Sequence, residues 1–186
     1  MSIIKHDFEK MNITKIKQSK NNKKLTVITA YDALFSNLFS KSADMILVGD
    51  SLNMSFMGKS DTLSATLDQM IYHTKAVCNG AKDAFVITDM PFATYINKDE
   101  ALKNCARVYQ ETLASAVKIE GGEDKADIIK HLTSNAIAVM GHIGLMPQYV
   151  RSEGGYNVRG TTKEDEEQLL RAAIAIEKEG AFAIVI

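Results

Sequence analysis

Apolar runs of strand length alternate along the chain with stretches of helical periodicity, the pattern of repeated βαβ units around a parallel sheet. The runs begin near Leu25, Met45, Phe85, Ala116, Ala136 and Phe182. Between them, Thr66 with Gln69 three residues on makes a capping-box pattern ahead of Met70, Ile71, Thr74 and Val77, and Gly80 is placed for the helix exit. Asn97 with Glu100 opens a second helix whose inner face is Leu102, Cys105, Val108, Tyr109 and Thr112. Thr162 followed by Glu164, Asp165, Glu166 and Glu167 puts acids where a helix N-terminus favours them. Leu169, Leu170, Ala173 and Ile176 carry that helix's inner face towards Gly180, a predicted C-cap. Residues 1–24 place seven lysines around Phe8, Met11, Ile13 and Ile16, which predicts a short N-terminal helix covering one end of the sheet. Two connections, 51–64 and 144–160, are long enough to serve as lids or binding segments.

The residues on which the runs end turn a scaffold into a candidate site. TVITAYD stops at Asp32, MILVGDS at Asp50, FVITDMP at Asp89, SAVKIEGG at Glu120 and AVMGHIG at His142. In α/β folds ligands sit at the carboxyl ends of the strands, where loops and helix starts converge. One aspartate there is commonly a turn residue or a helix cap. Three acids with a lysine, all at strand ends, point instead to a site. Side chains alternate across a strand, so Lys118 and Glu120 face one side and Val117 and Ile119 the other. With the apolar side against helices, both charges face the interior, where an isolated charge is very costly unless paired or bound to metal. The same count sets Val48 with Asp50, Ile87 with Asp89, and Met140 with His142. Consecutive strands of a barrel are neighbours, so Asp50, Asp89 and Glu120 are expected to crowd one mouth, with Lys118 and His142 beside them. All-oxygen ligation with room for water suits Mg²⁺, whereas zinc would call for more histidine or cysteine. His6, His73 and His131 lie in the tail or in helical stretches and read as structural or solvated. Gly121, Gly122, Gly154 and Gly155 make no nucleotide cradle, because neither a Walker pattern nor GxGxxG is present.

Composition narrows the function further. The 186 residues are 46% hydrophobic and carry a formal charge of −1, enough for one core and without a broad basic field for nucleic acid or an anionic membrane. A small-molecule ligand is therefore expected. Cys78 and Cys105 lie in helical stretches without metal spacing and read as reduced packing residues, which fits a cytoplasmic protein. The start MSIIKHDFEK is charged where a secretory segment would be apolar, and no run approaches the ~20 apolar residues of a membrane helix. Residues 1–186 are read as one domain.

Taken together, ITAYD, VGDSLNM, TDMPF, VKIEGGE, GHIGLMPQ and GGYNVRG resemble, in order and spacing, the ketopantoate hydroxymethyltransferase family. The resemblance implies a (β/α)8 TIM barrel of the phosphoenolpyruvate/pyruvate type, of which this chain covers about six βα units, together with a Mg²⁺ cofactor and a homodecamer. It implies a metal site on Asp50, Asp89 and Glu120, and an oxo acid held by Asp50, Ser51, Asp89 and Lys118 with His142 close by. It also implies transfer of a one-carbon unit from 5,10-methylenetetrahydrofolate to 3-methyl-2-oxobutanoate, through a Mg-stabilised enolate, to give 2-dehydropantoate. Asn53 and Met146 stand where the family usually has glycine and threonine. The family's general base, a glutamate, is expected directly after Ile186, so no residue here takes that role. The length is short of the ~250 residues usual for a closed barrel. The expectation is a part of a longer enzyme, retaining ligand affinity better than turnover. The alternatives are another Mg-dependent oxo-acid lyase or mutase of the same barrel superfamily, or an inactive truncated remnant.

Overall fold

The computed structural model describes residues 10–186. Phe8 and His6 fall outside them. Six strands form one sheet in the order β1-β2-β3-β4-β5-β6, every neighbouring pair parallel. They are β1 (Val27–Thr29), β2 (Met45–Val48), β3 (Phe85–Asp89), β4 (Ala116–Glu120), β5 (Val139–His142) and β6 (Ala183–Val185). The helices are α1 (Ile13–Ser19), α2 (Ala33–Phe39), α3 (Leu52–Met57), α4 (Leu67–Gly80), α5 (Lys98–Glu111), α6 (Ala126–Ser134) and α7 (Lys163–Lys178).

The sheet is curled into part of a barrel. Phe85 of β3 and Phe182, just ahead of β6, have ring centroids 5.7 Å apart. Three strand spacings of a flat sheet would separate them by about 14 Å. Met45, Phe85, Ile87, Ala116, Met140 and Phe182 form this inner core. On the outer face Val117, Ile119 and Val139 pack under α5, α6 and α7, through Cys105, Val108, Ile129, Leu132 and Ile176. Ile46, Val48 and Val86 pack under α4 through Met70, Val77 and Cys78. Ile16 of α1 joins the inner core beside Met45 and Phe85, so the N-terminal helix does close the amino end of the strands. Both cysteines are buried free thiols, with burial pushing that of Cys105 up to about 12.

Helix starts follow the predicted caps. Thr66 and Gln69 form a reciprocal capping box, and Asn97 and Thr162 accept from the amides three residues on. Gly180, at φ +98°, supplies the left-handed exit from α7. Gly80 ends α4 as expected, and a Cβ there would lie 2.1 Å from the carbonyl oxygen of Ala33, so glycine also permits the α2–α4 contact. Two expectations need correction. Leu170 is 60% exposed, because Ala172 and Ile176 define the buried stripe of α7 and Leu170 falls outside it. The connection 51–64 contains α3, which has no side-chain N-cap bond and shows a boundary cue only at its exit, the left-handed Gly58.

Candidate active site

Alternation carries the in-strand charges inward as expected. Ala116, Lys118 and Glu120 share the inner side of β4, and Phe85, Ile87 and Asp89 that of β3, so charges follow apolar residues on one surface. The register sets Asp89 opposite Lys118 and Glu120 opposite His142. Asp50 arrives by another route. Val48 faces the helices, so a strict count would send Asp50 outward with it. The strand ends at Val48, and the turn through Gly49 brings the Asp50 amide within 3.1 Å of Asp89 Oδ2. A Cβ on Gly49 would come within 2.8 Å of Ser51 Oγ and 3.5 Å of Asp89 Oδ2, so a side chain would crowd this corner.

The centre is Lys118, whose Nζ lies 3.0 Å from Asp89 Oδ1, 3.8 Å from Glu120 Oε1 and 2.9 Å from His142 Nδ1. His142 Nδ1 also lies 3.1 Å from Glu120 Oε1, so it accepts from the ammonium in the tautomer protonated at Nε2 and donates to the carboxylate when Nδ1 carries the proton. Asp50, Asp89, Lys118 and Glu120 are each no more than 5% exposed. Burial, reinforced by the neighbouring Asp89, pushes the Asp50 carboxyl up to about 7 against the pull of Lys118. Burial likewise raises Asp89, with Lys118 opposing it. Burial would lower Lys118, but Asp89 and Glu120 outweigh it and hold the ammonium above its usual range.

Two polar partners escaped the sequence reading. Gln148, on the short 3₁₀ turn Pro147–Tyr149, is buried and donates to Asp50 Oδ2 at 2.8 Å and to the Met90 carbonyl at 2.9 Å. Its backbone amide donates to Glu120 Oε2 at 3.0 Å, and its side-chain oxygen Oε1 accepts from the Tyr95 hydroxyl. Tyr31 and Ser51 hydroxyls are 2.9 Å apart, which fixes Ser51 at the rim. Neither partner lies in a periodic segment at its contact, and the one available cue was GHIGLMPQ, with proline fixing the turn before Gln148. Asp32, by contrast, is the α2 N-cap, accepting from Leu34 and Phe35 amides. His73 Nδ1 pairs with the Tyr31 carbonyl at 2.7 Å, a structural contact. The two long connections meet over the mouth, through Arg151 to Asp61 at 2.9 Å and the Tyr156 hydroxyl to the Ser60 carbonyl at 3.3 Å.

Three carboxylates thus face one ammonium in a buried space, and Asp89 Oδ1 has the Lys118 ion pair but no hydrogen-bond partner among the described residues. No three His, Cys, Asp or Glu side chains among the described residues converge into a closed metal cage. A hard cation nonetheless suits this set, because Mg²⁺ is commonly held by one or two carboxylates, with waters and substrate oxygens completing its shell.

A curled parallel sheet with charged groups at its carboxyl ends places the molecule among barrel-type α/β proteins. Solved structures similar to it include phosphonopyruvate hydrolase in complex with oxalate and Mg²⁺, at TM-score 0.69 and 13% identity, covering 94% of this chain and 62% of that one. Another is 2,3-dimethylmalate lyase, a member of the phosphoenolpyruvate mutase/isocitrate lyase superfamily, at TM-score 0.62 and 18% identity, covering 93% and 60%. At such identities the likeness is one of fold. Sequence goes further: the chain belongs to the ketopantoate hydroxymethyltransferase family, whose pattern matches residues 10–186. Relatives named 3-methyl-2-oxobutanoate hydroxymethyltransferase include those of Aliarcobacter butzleri, 83% identical over 100% of this chain and 69% of its own length, and Sulfurimonas denitrificans, 67% identical over 96% and 68%. The Helicobacter pylori relative is 50% identical over the whole chain. The chain spans about two thirds of the length of these relatives.

Proposed function

We propose that this chain forms the oxo-acid side of the active site of a Mg²⁺-dependent hydroxymethyltransferase acting on 3-methyl-2-oxobutanoate, with 5,10-methylenetetrahydrofolate as one-carbon donor and 2-dehydropantoate as product. The observation that carries the reading is Lys118 buried among Asp89, Glu120 and His142 at the carboxyl ends of adjacent strands. A packing residue gains nothing from that position, whereas an anionic substrate does.

Asp50, Asp89 and Glu120 are the residues that would hold the cation. Once bound, Mg²⁺ supplies Lewis-acid stabilisation of negative charge on the substrate's carbonyl oxygen. Lys118 binds and orients the oxo acid's carboxylate, and Ser51, positioned by Tyr31, donates to it from the rim. His142, its Nδ1 turned to Lys118 and Glu120, presents Nε2 to the pocket. The inner apolar core beneath excludes water from the strand side of the pocket and so strengthens each of these contacts. The family context supports a homodecamer in the cytoplasm with no nucleic-acid or membrane partner. None of the helices among the described residues is long and apolar enough to cross a membrane.

The test is binding of 3-methyl-2-oxobutanoate, and exchange of its C3 proton, followed by NMR with and without Mg²⁺. Mg²⁺-dependent binding that disappears in Lys118→Met is the expected result. Equal binding with and without the ion would sink the metal assignment, and retention in Lys118→Met would sink the substrate assignment.

A further inference from the structure

Gln148 makes four hydrogen bonds from a single buried position, and their polarity is fixed. The Met90 carbonyl can only accept, so the amide nitrogen of Gln148 must face it and Asp50, which leaves the side-chain oxygen for the Tyr95 hydroxyl. The side chain thereby ties up Asp50 Oδ2 and the backbone ties up Glu120 Oε2. One oxygen of each carboxylate is held by the 147–149 turn; Asp50 keeps Oδ1 for other work, while Glu120 Oε1 faces Lys118 Nζ at 3.8 Å and His142 Nδ1 at 3.1 Å. Without the turn, Asp50 would lose its side-chain donor in a buried space and Glu120 would be held from one side alone.

We propose that Gln148 is a positioning residue that sets the orientation of Asp50 and Glu120 towards a shared divalent cation, with Tyr95 fixing the sense of the Gln148 amide. This rests on the metal reading given above. Residues that orient metal-binding carboxylates typically change metal affinity 10- to 100-fold when lost.

The experiment titrates Mn²⁺, as a paramagnetic stand-in for Mg²⁺, into the wild-type chain and three variants, following water proton relaxation, with circular dichroism to establish folding. Gln148→Leu removes the side-chain donors and is expected to weaken Mn²⁺ binding by about tenfold or more. Tyr95→Phe removes only the hydroxyl that fixes the amide and is expected to weaken it a few-fold, which keeps the inference testable should Gln148→Leu not fold. Asp89→Asn should abolish binding. If folded Gln148→Leu and Tyr95→Phe bind Mn²⁺ as wild type does while Asp89→Asn does not, Gln148 is merely a structural cross-link and the inference is overturned while the metal reading stands. Absence of Mn²⁺ binding by the wild-type chain overturns both.

Discussion

The two ends of the inner sheet surface are built from the same strands and hold opposite contents. At the amino end, Ile16, Met45, Phe85 and Phe182 make a dry contact among aliphatic and aromatic groups. Four residues further along β3, and two to four along β4, the surface holds Asp89, Lys118 and Glu120. Each end needs the other. The apolar end supplies the free energy of closure, since burying apolar surface is the main favourable term in folding. The charged end then sits in an environment where paired groups are held firmly and unpaired ones are penalised. A site of this sort is held in place by the sheet more than it contributes to holding the sheet.

The comparison is tested hardest by Lys118→Met. It leaves Asp89, Asp50 and Glu120 without their counter-ion, and losing one partner of a buried pair typically costs about 3–5 kcal/mol. Urea denaturation at neutral pH should show a loss of that order, and a loss well below it would mean that the carboxylates neutralise themselves by taking up protons. Ile16→Ala probes the opposite end. It should cost about 2 kcal/mol by cavity formation while leaving Mn²⁺ and oxo-acid affinity unchanged in the folded protein. Any change in ligand affinity would show that the two ends are coupled rather than stacked. Tyr31→Phe removes one partner of Ser51 and should cost about 1 kcal/mol, with weaker oxo-acid binding by NMR titration.

The smallest effect concerns pH. Asp44 holds β1 to the segment before β2 through the amide and hydroxyl of Thr26 and through Lys23. Its burial would raise the carboxyl, but these partners prevail and hold it below the usual range. A carboxyl lowered in the folded state contributes stability that is complete above its unfolded pKa of about 4 and is lost as pH falls through the lowered folded value. Wild type should therefore lose more stability than Asp44→Asn between neutral pH and pH ~3, measured as urea midpoints. Parallel curves would remove Asp44 from the account.

How far the sequence could be read follows from how local each feature is. Asp89, Lys118, Glu120 and His142 were legible because each lies within a strand, where a period of two dictates the side. Asp50 reaches the cluster although the count along its strand points the wrong way. Val48 faces α4, and only the turn at Gly49, which has no periodicity, returns Asp50 to the interior. The α4 capping box is a contact three residues long and is plain in the sequence, whereas α3 has no capping side chain and only Gly58 marks its exit. Leu170 was misplaced because Leu169 and Leu170 are adjacent, and hydrophobicity alone does not say which of two neighbours a helix turns inward. For Gln148 the turn at Pro147 was visible but the partners were not, because they are fixed by the barrel's curvature, which no window of sequence contains.

The distances along the chain that Gln148 spans have a consequence for assembly. Asp50 lies 98 residues before it, Met90 58, Tyr95 53 and Glu120 28, so four separate loop closures end on one side chain. Contacts of such long range form late, after the local helices and neighbouring strand pairs that shorten the effective path. A nascent polypeptide therefore has Lys118 alone to hold its acidic cluster until the Pro147 turn has emerged and docked. One short turn thus completes a pocket whose other walls come from four separate stretches of chain.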